Sequence, residues 1–372
     1  MTSGSVRIER LSCRNFRNFE RLDLELPDAG MAIVGENGQG KTNLLESIYY
    51  LQVLRSARGA RDHDLVRFGA KGFHLSAHAL TDTSHDIAVG FETAGRKKKV
   101  TRDGAVAARL SDAFGSVPSV MFSPRDIQLI AGGPGERRRF MDLVLALTSR
   151  RYLTALQTYR ASLARRNAAL REAARTGDES AVAVWEPPLA EHGAAIVCER
   201  ARWANERMEE FAGLTVAIGE QGESRMSYHS AIARESNPHA ALSSALERQR
   251  RHDMRRGMTH SGPHRDDLSL TLDGKDLRLF GSAGQQRTAA IALRMLESAT
   301  LRESRALSPM LLLDDPFAEL DVRRSARILE LLQGAGLGQT ILVVPRASDI
   351  PAELTGLERR RIHAGVIEGT AA

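Results

Sequence analysis

The residues best suited to chemistry form a glycine-rich stretch near the N-terminus, Gly35-Glu36-Asn37-Gly38-Gln39-Gly40-Lys41-Thr42. They match the pattern G-x-x-x-x-G-K-[ST], in which backbone N–H groups surround phosphates and the lysine reaches the β- and γ-phosphates. An apolar segment (32–34) precedes the stretch and an amphipathic segment follows it, so it lies between a predicted strand and a predicted helix. The pattern predicts an ATP site in which Lys41 binds phosphate and Thr42 binds Mg²⁺.

A second set of reactive side chains ends an apolar run near the C-terminus, Leu311-Leu312-Leu313-Asp314-Asp315. The run predicts a buried strand that presents two carboxylates at its end. Asp314 is suited to hold Mg²⁺, and Asp315 to orient or activate an attacking water. We predict Lys41, Asp314 and Asp315 as catalytic residues, and Thr42 with Asp314 as the metal site.

A third element, Ser282-Ala283-Gly284-Gln285-Gln286, lies upstream of the carboxylates. Ser282 is suited to cap a helix, and a glycine-containing helix start binds anions. Within one chain, the helix that follows Lys41 already points at the phosphates bound by the glycine loop, so the Ser282 helix start cannot easily face the same γ-phosphate. We therefore expect Ser282, Gly284 and Gln285 to face the ATP of a second subunit. This predicts an ATP-dependent homodimer with two-fold symmetry. The alternative is that the Ser282 motif only caps its own helix and contacts no nucleotide.

Length and composition limit the class of protein. The chain has 372 residues, 42% of them hydrophobic, which suggests roughly two domains of ordinary size. A net charge of +6, carried mostly by arginine, fits a nucleic-acid partner but also fits a merely arginine-rich surface. We find no export signal and no apolar run long enough to span a membrane. Cys13 and Cys198 form no disulfide or zinc pattern, so we expect free thiols in the cytoplasm.

Hydrophobic periodicity predicts the elements that position these motifs. Alternating residues predict strands over 6–11, 22–26, 73–78, 87–91 and 268–272, and Asp103-Gly104 predicts a hairpin turn. Helical spacing dominates 135–212, interrupted at Pro187-Pro188, and continues in an arginine-rich helix over 238–256. A helix near Ser282, a strand over 311–313, a helix over 322–332 and a strand over 340–344 follow. A helical segment thus interrupts an α/β unit whose two ends must meet.

The order of these motifs resembles that of ABC-type ATPases, and more narrowly the RecF family. The signature is followed by Asp314-Asp315 and then by Ala318-Glu319-Leu320-Asp321. The further stretches that carry the resemblance are Asn15-Phe16-Arg17-Asn18, Ser123-Pro124-Arg125-Asp126, Arg137-Arg138-Arg139-Phe140-Met141-Asp142, Arg166-Asn167 and Gly262-Pro263-His264-Arg265-Asp266-Asp267-Leu268.

The resemblance implies an α/β fold: an ABC-type P-loop ATPase lobe, 1–134 with 258–372, and an inserted, mainly helical lobe over 135–257. It implies a slow, DNA-stimulated ATPase that dimerises on DNA with ATP and Mg²⁺. The implied partners are single-stranded DNA, gapped or junction duplex, RecO and RecR, with RecA loading at gaps as the outcome. It also assigns Asn15 to the nucleotide and Asp321 to the dimer-facing loop.

The chain departs from the ABC pattern at three positions. The loop that joins the lobes usually carries a glutamine, but here it reads Ser123-Pro124-Arg125-Asp126 with Gln128 displaced. The histidine expected after the last core strand is absent from Val343-Val344-Pro345-Arg346-Ala347. Asp315 also stands where transporters carry glutamate. These departures favour slow hydrolysis.

Basic stretches and His264 have several interpretations. We interpret Arg96-Lys97-Lys98-Lys99 as a solvated turn. Three arginine-rich stretches, 137–139, 165–166 and 248–256, are candidates for a positive DNA-facing surface. Because only 5% of residues are aromatic, phosphate contacts are favoured over base stacking. His264 lacks the spacing of a metal ligand, so we expect a structural or nucleotide-adjacent role.

Two rival functions remain open from the residues alone. The nucleotide-binding subunit of an ABC transporter would carry the missing glutamine and histidine. A small-molecule P-loop kinase would need neither the Ser282 motif nor a dimer.

Overall fold

The computed structural model describes residues 4–318, 320–336 and 338–368. Glu319 of the Ala318-Glu319-Leu320-Asp321 stretch therefore lies outside the described residues. The strands, in chain order, are β1 (Gly4–Ser5), β2 (Arg7–Phe16), β3 (Phe19–Glu25), β4 (Gly30–Val34), β5 (Gly72–Leu80), β6 (Ser84–Glu92), β7 (Lys97–Arg102), β8 (Ala105–Val106), β9 (Ser119–Phe122), β10 (Ser224–His229), β11 (Asp267–Leu272), β12 (Lys275–Asp276), β13 (Leu307–Ser308), β14 (Met310–Asp314), β15 (Thr340–Val344), β16 (Glu358–His363) and β17 (Val366–Ile367).

The helices follow the same order. They are α1 (Lys41–Val53), α2 (Gln128–Ala131), α3 (Pro134–Thr148), α4 (Arg150–Thr176), α5 (Ser180–Ala183), α6 (Glu186–Ile218), α7 (Pro238–Arg256), α8 (Leu277–Phe280), α9 (Ala283–Arg305) and α10 (Val322–Gly334).

The chain divides into two compact units. Unit 1 comprises residues up to Arg125 and from Glu297 onward, and unit 2 comprises Asp126–Leu296. The first unit is thus discontinuous in sequence, and the division falls within α9. These bounds differ from the predicted lobes, because residues 126–134 and 258–296, which include the first part of α9, group with the helical unit. The assignment of 258–296 to the ATPase lobe stays a prediction, since compactness groups residues by contact and not by the site they serve.

A mainly parallel sheet forms the core of unit 1, with strand order β17-β16-β4-β15-β14-β9. Strands β4, β14 and β15 are apolar and almost wholly buried, as expected for parallel strands covered on both faces. Asp314 pairs in register with Val343, and Val344 with Val34. The carboxyl ends of β4, β14 and β15 therefore meet at one edge, where parallel sheets bind ligands.

Unit 1 also contains an antiparallel sheet with strand order β3-β2-β5-β6-β7-β8 and a two-stranded parallel sheet, β1-β13. In the six-stranded antiparallel sheet, inward residues alternate with polar ones, as the periodicity predicted. The predicted hairpin at Asp103-Gly104 is confirmed, because Arg102 pairs with Ala105 across it and both turn residues have positive φ.

The interpretation of residues 96–99 as a solvated turn is right about the exposure of Arg96, Lys97 and Lys99 but wrong about the conformation of 97–99. Lys97, Lys98 and Lys99 begin strand β7, which pairs with β6. The Lys98 ammonium donates to Leu54 O (2.7 Å), pairs with Asp62 (2.8 Å) and lies over the Tyr50 ring. Residues 97–99 are extended because they pair with β6, and this pairing cannot be predicted from a run of lysines.

Unit 2 is mainly helical, with a small sheet of order β10-β11-β12. The predicted break at Pro187-Pro188 is the first turn of α6, where proline is tolerated because those N–H groups have no helical partner. Helix α7 has the bounds predicted from the arginine-rich stretch. Every described helix is too short or too polar to span a bilayer.

Candidate nucleotide-binding site

The glycine loop connects β4 to α1, as predicted. Gly38 and Gly40 have φ of +83° and +114°, a region that strains residues bearing a Cβ. A Cβ on Gly40 would also lie 2.6 Å from Asn18 Nδ2. The glycines therefore permit both the loop's path and the close approach of Asn18.

Two neighbouring turns hold the outer side of the loop. Asn18 Nδ2 donates to Gln39 O (3.0 Å), and Asn43 Nδ2 donates to Asn18 Oδ1 (2.7 Å). From the β16–β17 turn, Ala364 N donates to Gln39 Oε1 (2.6 Å) and Gly365 N to Gln39 O (2.9 Å). These bonds fix the loop before any ligand arrives, which lowers the entropic cost of binding.

Lys41 lies in the centre of the loop and is only 8% exposed. Its ammonium donates to the carbonyl oxygens of Gly35 and Glu36 (2.8 Å to the latter). Burial lowers the pKa of Lys41, and the carboxylates of Asp314 and Asp315 oppose that effect. A phosphate in the loop would strengthen the charged form in the same way.

Thr42 and Asp314 meet although 272 residues separate them in sequence. Thr42 Oγ1 lies 3.1 and 3.0 Å from the two carboxylate oxygens of Asp314. Burial raises the pKa of Asp314, the neighbouring Asp315 adds to the rise, and Thr42 and Lys41 oppose it. These hard oxygen donors fit Mg²⁺, which usually takes one or two protein ligands plus phosphate oxygens and water. The partly buried carboxylate beside the hydroxyl is therefore a suitable Mg²⁺ site.

Asp315 follows directly at the end of β14. Its N–H donates to Val343 O (2.9 Å), and its φ is +47°, a left-handed conformation uncommon for a residue with a side chain. Strained backbone of this kind is concentrated at functional sites. The turn places the second carboxylate beside the first on the wall of the pocket.

Arg58 is a site residue that sequence analysis missed. It donates to Asn43 Oδ1 (2.5 Å) and to the fully buried carboxylate of Glu46 (Nε to Oε2, 3.1 Å). Arg17 also donates to Glu46 (2.9 Å). Burial alone would raise the pKa of Glu46, but hydrogen bonds from Arg58, Arg17 and Ser56 lower it overall. Glu46 therefore stays ionised and fixes the Arg58 guanidinium beside the loop.

These groups enclose a cavity of about 400 Å³. Its walls are formed by the loop, the carboxylates, the Arg58 side chain and two prolines: Asn37, Gly38, Gly40, Lys41, Thr42, Asn43, Arg58, Pro124, Asp314, Asp315 and Pro345. Pro124 follows β9 and Pro345 follows β15. At the two strand ends where the ABC pattern has glutamine and histidine, this cavity therefore has prolines, whose side chains form no hydrogen bonds.

Comparison with known proteins assigns the family. Residues 7–351 match the family model described as RecF/RecN/SMC N terminal domain. The DNA replication and repair protein RecF of Lachnoclostridium phytofermentans is 32% identical over 365 residues, 98% of each chain. RecF of Frankia alni is 34% identical over 367 residues, covering 94% of this chain and 96% of that protein.

The chain belongs to the RecF family. A solved structure of the recombination mediator protein RecF, described as RecF-ATP in the RecFOR pathway, has a TM-score of 0.91 at 29% identity, covering 100% of this chain and 99% of that chain. An Smc head domain from Pyrococcus furiosus has a TM-score of 0.56 at 16% identity, which supports the ABC-type ATPase fold alone. Family membership favours a RecF-type protein over a transporter subunit.

Four predicted nucleotide-binding positions in unit 1 of this RecF-family chain are not among the residues that line the cavity: Asn15, Gly35, Glu36 and Gln39. Asn15 has φ of +51°, and its carbonyl accepts from Arg67 N (2.8 Å). Glu36 contributes the carbonyl that Lys41 contacts. Asn18, three residues after Asn15, makes the contact with the loop. The nucleotide assignment of Asn15 stays a prediction.

The Ser282 motif forms the N-terminus of α9 in unit 2. Gln285 N donates to Ser282 Oγ (3.3 Å), and Ser282 N donates to Gln285 Oε1 (2.8 Å), so the two residues form a reciprocal cap. Ser282 and Ala283 are exposed, and Gly284 and Gln285 are half-buried. The predicted cap is confirmed, and the role of Ser282, Gly284 and Gln285 toward nucleotide stays a prediction.

Two arginines expected on a DNA-facing surface of the RecF-family chain, Arg137 and Arg166, are internal, so that prediction is wrong for them. Arg166 is fully buried and pairs with Asp253 (2.7 Å) and Glu186 (3.0 Å). Arg137 is 5% exposed and forms a two-bond pair with Asp267. Arginine count alone does not separate ion pairs of the core from surface charge.

His264 has a structural role. Its Nε2 lies 2.9 Å from Thr259 O, which only accepts, so Nε2 carries the proton. Nδ1 then accepts from the Tyr159 hydroxyl (2.7 Å). Burial lowers the pKa of His264 to about 4. The ring is therefore neutral at pH 7 and ties the 259–264 loop to α4.

Proposed function

We propose that this chain is an ATP-dependent DNA-binding protein of recombinational repair and replication-gap processing. The proposal is carried by one observation: Lys41, Thr42, Asp314 and Asp315 share one cavity in a chain that matches RecF proteins over nearly its whole length. The relatives' printed names supply the biological setting, DNA replication and repair. The RecFOR pathway named for the solved structures supports RecO and RecR as partners. RecA loading at gaps, which the family resemblance implies, is the outcome we propose.

In the proposed ATP cycle, the 35–42 loop binds the phosphates through its backbone N–H groups and Lys41. Thr42 and Asp314 would hold Mg²⁺, which neutralises charge on the phosphate oxygens. Asp315 orients the attacking water and accepts its proton. Arg58, held by Glu46, adds positive charge to the same wall.

Slow hydrolysis is proposed from the composition of the cavity wall. Pro124 and Pro345 supply no side-chain donor, and Asp315 reaches one methylene less far than a glutamate. Fewer groups then stabilise charge as it develops on the γ-phosphate. Such a site suits a switch that stays closed with ATP better than a fast motor.

Dimerisation is proposed from the exposed start of α9. Ser282 and Gln285 cap each other, and the two residues before Gly281, Leu279 and Phe280, are each 69% exposed. Large apolar side chains at such exposure are typical of surfaces that a partner covers. We propose that a second copy covers this surface when ATP is bound and receives the Ser282 helix start against its phosphates.

Duplex-DNA binding with and without ATP across a salt series tests the function. We expect Mg-ATP to tighten binding and log Kd to rise steeply with log salt, as phosphate contacts require. Lys41→Met should abolish the ATP effect while leaving the folded chain intact. ATP-independent binding by the wild type, equal to that of Lys41→Met, would contradict the proposal.

A further inference from the structure

The arginines of unit 2 fall into two groups that the sequence does not distinguish. One group is committed to internal pairs: Arg137 with Asp267, Arg166 with Asp253 and Glu186, and Arg200 with Asp142 (2.7 Å). The other group has exposed guanidinium groups. Four members of the second group surround one turn, residues 257–259: Arg171, Arg255, Arg256 and Arg265.

The turn is fixed against α4 by a set of buried bonds. Asn167 Oδ1 accepts from both Thr259 N and Thr259 Oγ1 (2.8 Å each), and Arg166 donates to the same hydroxyl (2.8 Å). Thr259 is 2% exposed. The position of the turn is therefore set by side chains that cannot move independently of α4.

These bonds bring arginines from three separate elements together. Arg171 follows Asn167 by one helical turn, and a Cβ built on Gly257 would lie 3.1 Å from its Cγ. Arg255 and Arg256 end α7 directly before Gly257. Arg265 donates to Thr259 O (3.4 Å) and contacts Met258 Sδ (3.6 Å).

The four side chains carry unbalanced charge. Within the part of the chain that the structure describes, none of the four forms an ion pair. Nearby carboxylates are used elsewhere: Glu172 pairs with Arg175 (3.2 Å), and Asp253 is buried with Arg166 and His260. The C-terminal dipole of α7 favours the positive charges of Arg255 and Arg256 in its last turn. It does not account for Arg171 or Arg265, which come from other elements.

We propose that these four arginines form a binding surface for the phosphate backbone of DNA, named here the arm patch. The inference rests on the proposed function and assigns the DNA contact to one place. Guanidinium groups form two-bond contacts with phosphate oxygens, and the patch contains no aromatic side chain for base stacking. Recognition is therefore by charge and backbone, with little preference for sequence.

A matched pair of triple variants tests the arm patch. The patch variant is Arg171→Gln/Arg255→Gln/Arg256→Gln. The control, Arg160→Gln/Arg202→Gln/Arg225→Gln, removes the same charge from exposed arginines of unit 2 that already pair with carboxylates. Binding of a labelled duplex is measured by fluorescence anisotropy over a salt series with Mg-ATP.

We expect the patch variant to bind at least about tenfold more weakly. The slope of log K against log salt should fall in magnitude by about 2–3, since each phosphate contact contributes about 0.9. The control should stay near the wild type, and Arg→Lys changes at the same three positions should keep most of the slope. Mg-ATP-dependent dimerisation of the patch variant, equal to that of the wild type, shows that it is folded.

Other outcomes overturn the assignment. Equal losses in both triple variants would mean that only net charge matters, and an unchanged patch variant would place the DNA elsewhere. Binding of phosphatidylserine vesicles that the patch variant loses while its DNA affinity is kept would identify a membrane surface instead. In these cases DNA binding by the wild type leaves the proposed function standing. Absence of duplex binding by the wild type would overturn both.

Discussion

At the scale of single residues, the buried carboxylate of Glu46 organises one side of the ATP cavity. It accepts from Arg17 and Arg58, and Arg58 in turn contacts Asn43 in the first turn of α1. A buried charge is stable only when paired and hydrogen-bonded. The network therefore holds a positive group at the cavity wall at little further entropic cost when phosphate binds.

Arg58→Ala should weaken ATP binding by about 10- to 100-fold, because it removes a charge-assisted contact worth about 1.5–3 kcal/mol. It also leaves Glu46 with one cation fewer, so a lower unfolding temperature is expected. Isothermal titration calorimetry with an ATP analogue measures the affinity. Arg55→Ala, at an exposed position three residues earlier, is the control and should bind normally. Normal affinity in Arg58→Ala would remove Arg58 from the site.

Asp315→Asn should slow ATP turnover by about 10²-fold or more while preserving ATP binding, because the amide cannot accept a proton. Asparagine tolerates positive φ, so the backbone conformation is kept. A phosphate-release assay and light scattering with Mg-ATP measure turnover and dimer lifetime. We expect dimers that persist longer than those of the wild type. Unchanged turnover would contradict the assigned role.

His264 predicts a loss of stability in mild acid. Its pKa is lowered in the folded protein, to about 4 from an ordinary 6.5, so between these values the unfolded chain binds more protons. Stability therefore falls as pH drops through that window, by up to ~1.4 kcal/mol per pH unit. His264→Gln can still donate to Thr259 O. The unfolding free energy of this variant should change less than that of the wild type between pH 7 and pH 5. Equal changes in the two proteins would show that His264 is not the source of the acid sensitivity.

Residue-level prediction succeeded where spacing is fixed by chemistry. The phosphate loop and the carboxylate pair have such spacing, and the structure places Lys41, Thr42, Asp314 and Asp315 in one cavity. Arg58 and Asn18 belong to no motif of fixed spacing, because they lie in separate turns that only the fold brings next to the phosphate loop. The internal arginines were misread for the same reason, since their acidic partners lie 20 to 130 residues away in sequence.

At the scale of elements, the short helix α8 and the start of α9 carry the proposed dimer surface. Leu279 and Phe280 lie just before the reciprocal cap of Ser282 and Gln285. An apolar anchor beside a polar motif is typical of the centre of a protein interface.

Phe280→Asp should reduce Mg-ATP-dependent dimerisation by at least about tenfold, because a charge would be buried on association. ATP affinity of the monomer should not change. Sedimentation velocity measures the dimer fraction. Val216→Asp places the same charge at another exposed apolar position, 59% exposed on α6, and should dimerise normally. Equal effects of the two substitutions would indicate a general loss of folding or charge balance.

The hardest elements to predict were strands whose conformation is set by pairing with another strand far away in the sequence. Strand β16 reads Glu-Arg-Arg-Arg-Ile-His, with one buried residue, yet it pairs with β4 and its turn contacts the phosphate loop. Strand β10 was missed in the same way. Helix α7, which lies between the cap residues Asn237 and Gly257, and strand β15, a continuous apolar run, had the bounds predicted from the sequence.

At the scale of the whole molecule, the RecF family match covers nearly the full chain, and each of the two compact units has its own part in the proposal. Unit 1 contains the phosphate loop and both carboxylates. Unit 2 contains the Ser282 helix start and the arm patch. In the proposed function, ATP binding is thereby coupled to association of two copies and to DNA.

The most direct test is the molar mass of the protein in solution, measured by light scattering with saturating Mg-ATP. The account predicts a monomer without nucleotide and a mass near twice 40.8 kDa with Mg-ATP. Ser282→Arg should bind ATP normally and stay monomeric, because the new side chain blocks the helix start. A wild type that stays monomeric with Mg-ATP and hydrolyses it, or a Ser282→Arg variant that dimerises normally, would contradict the account.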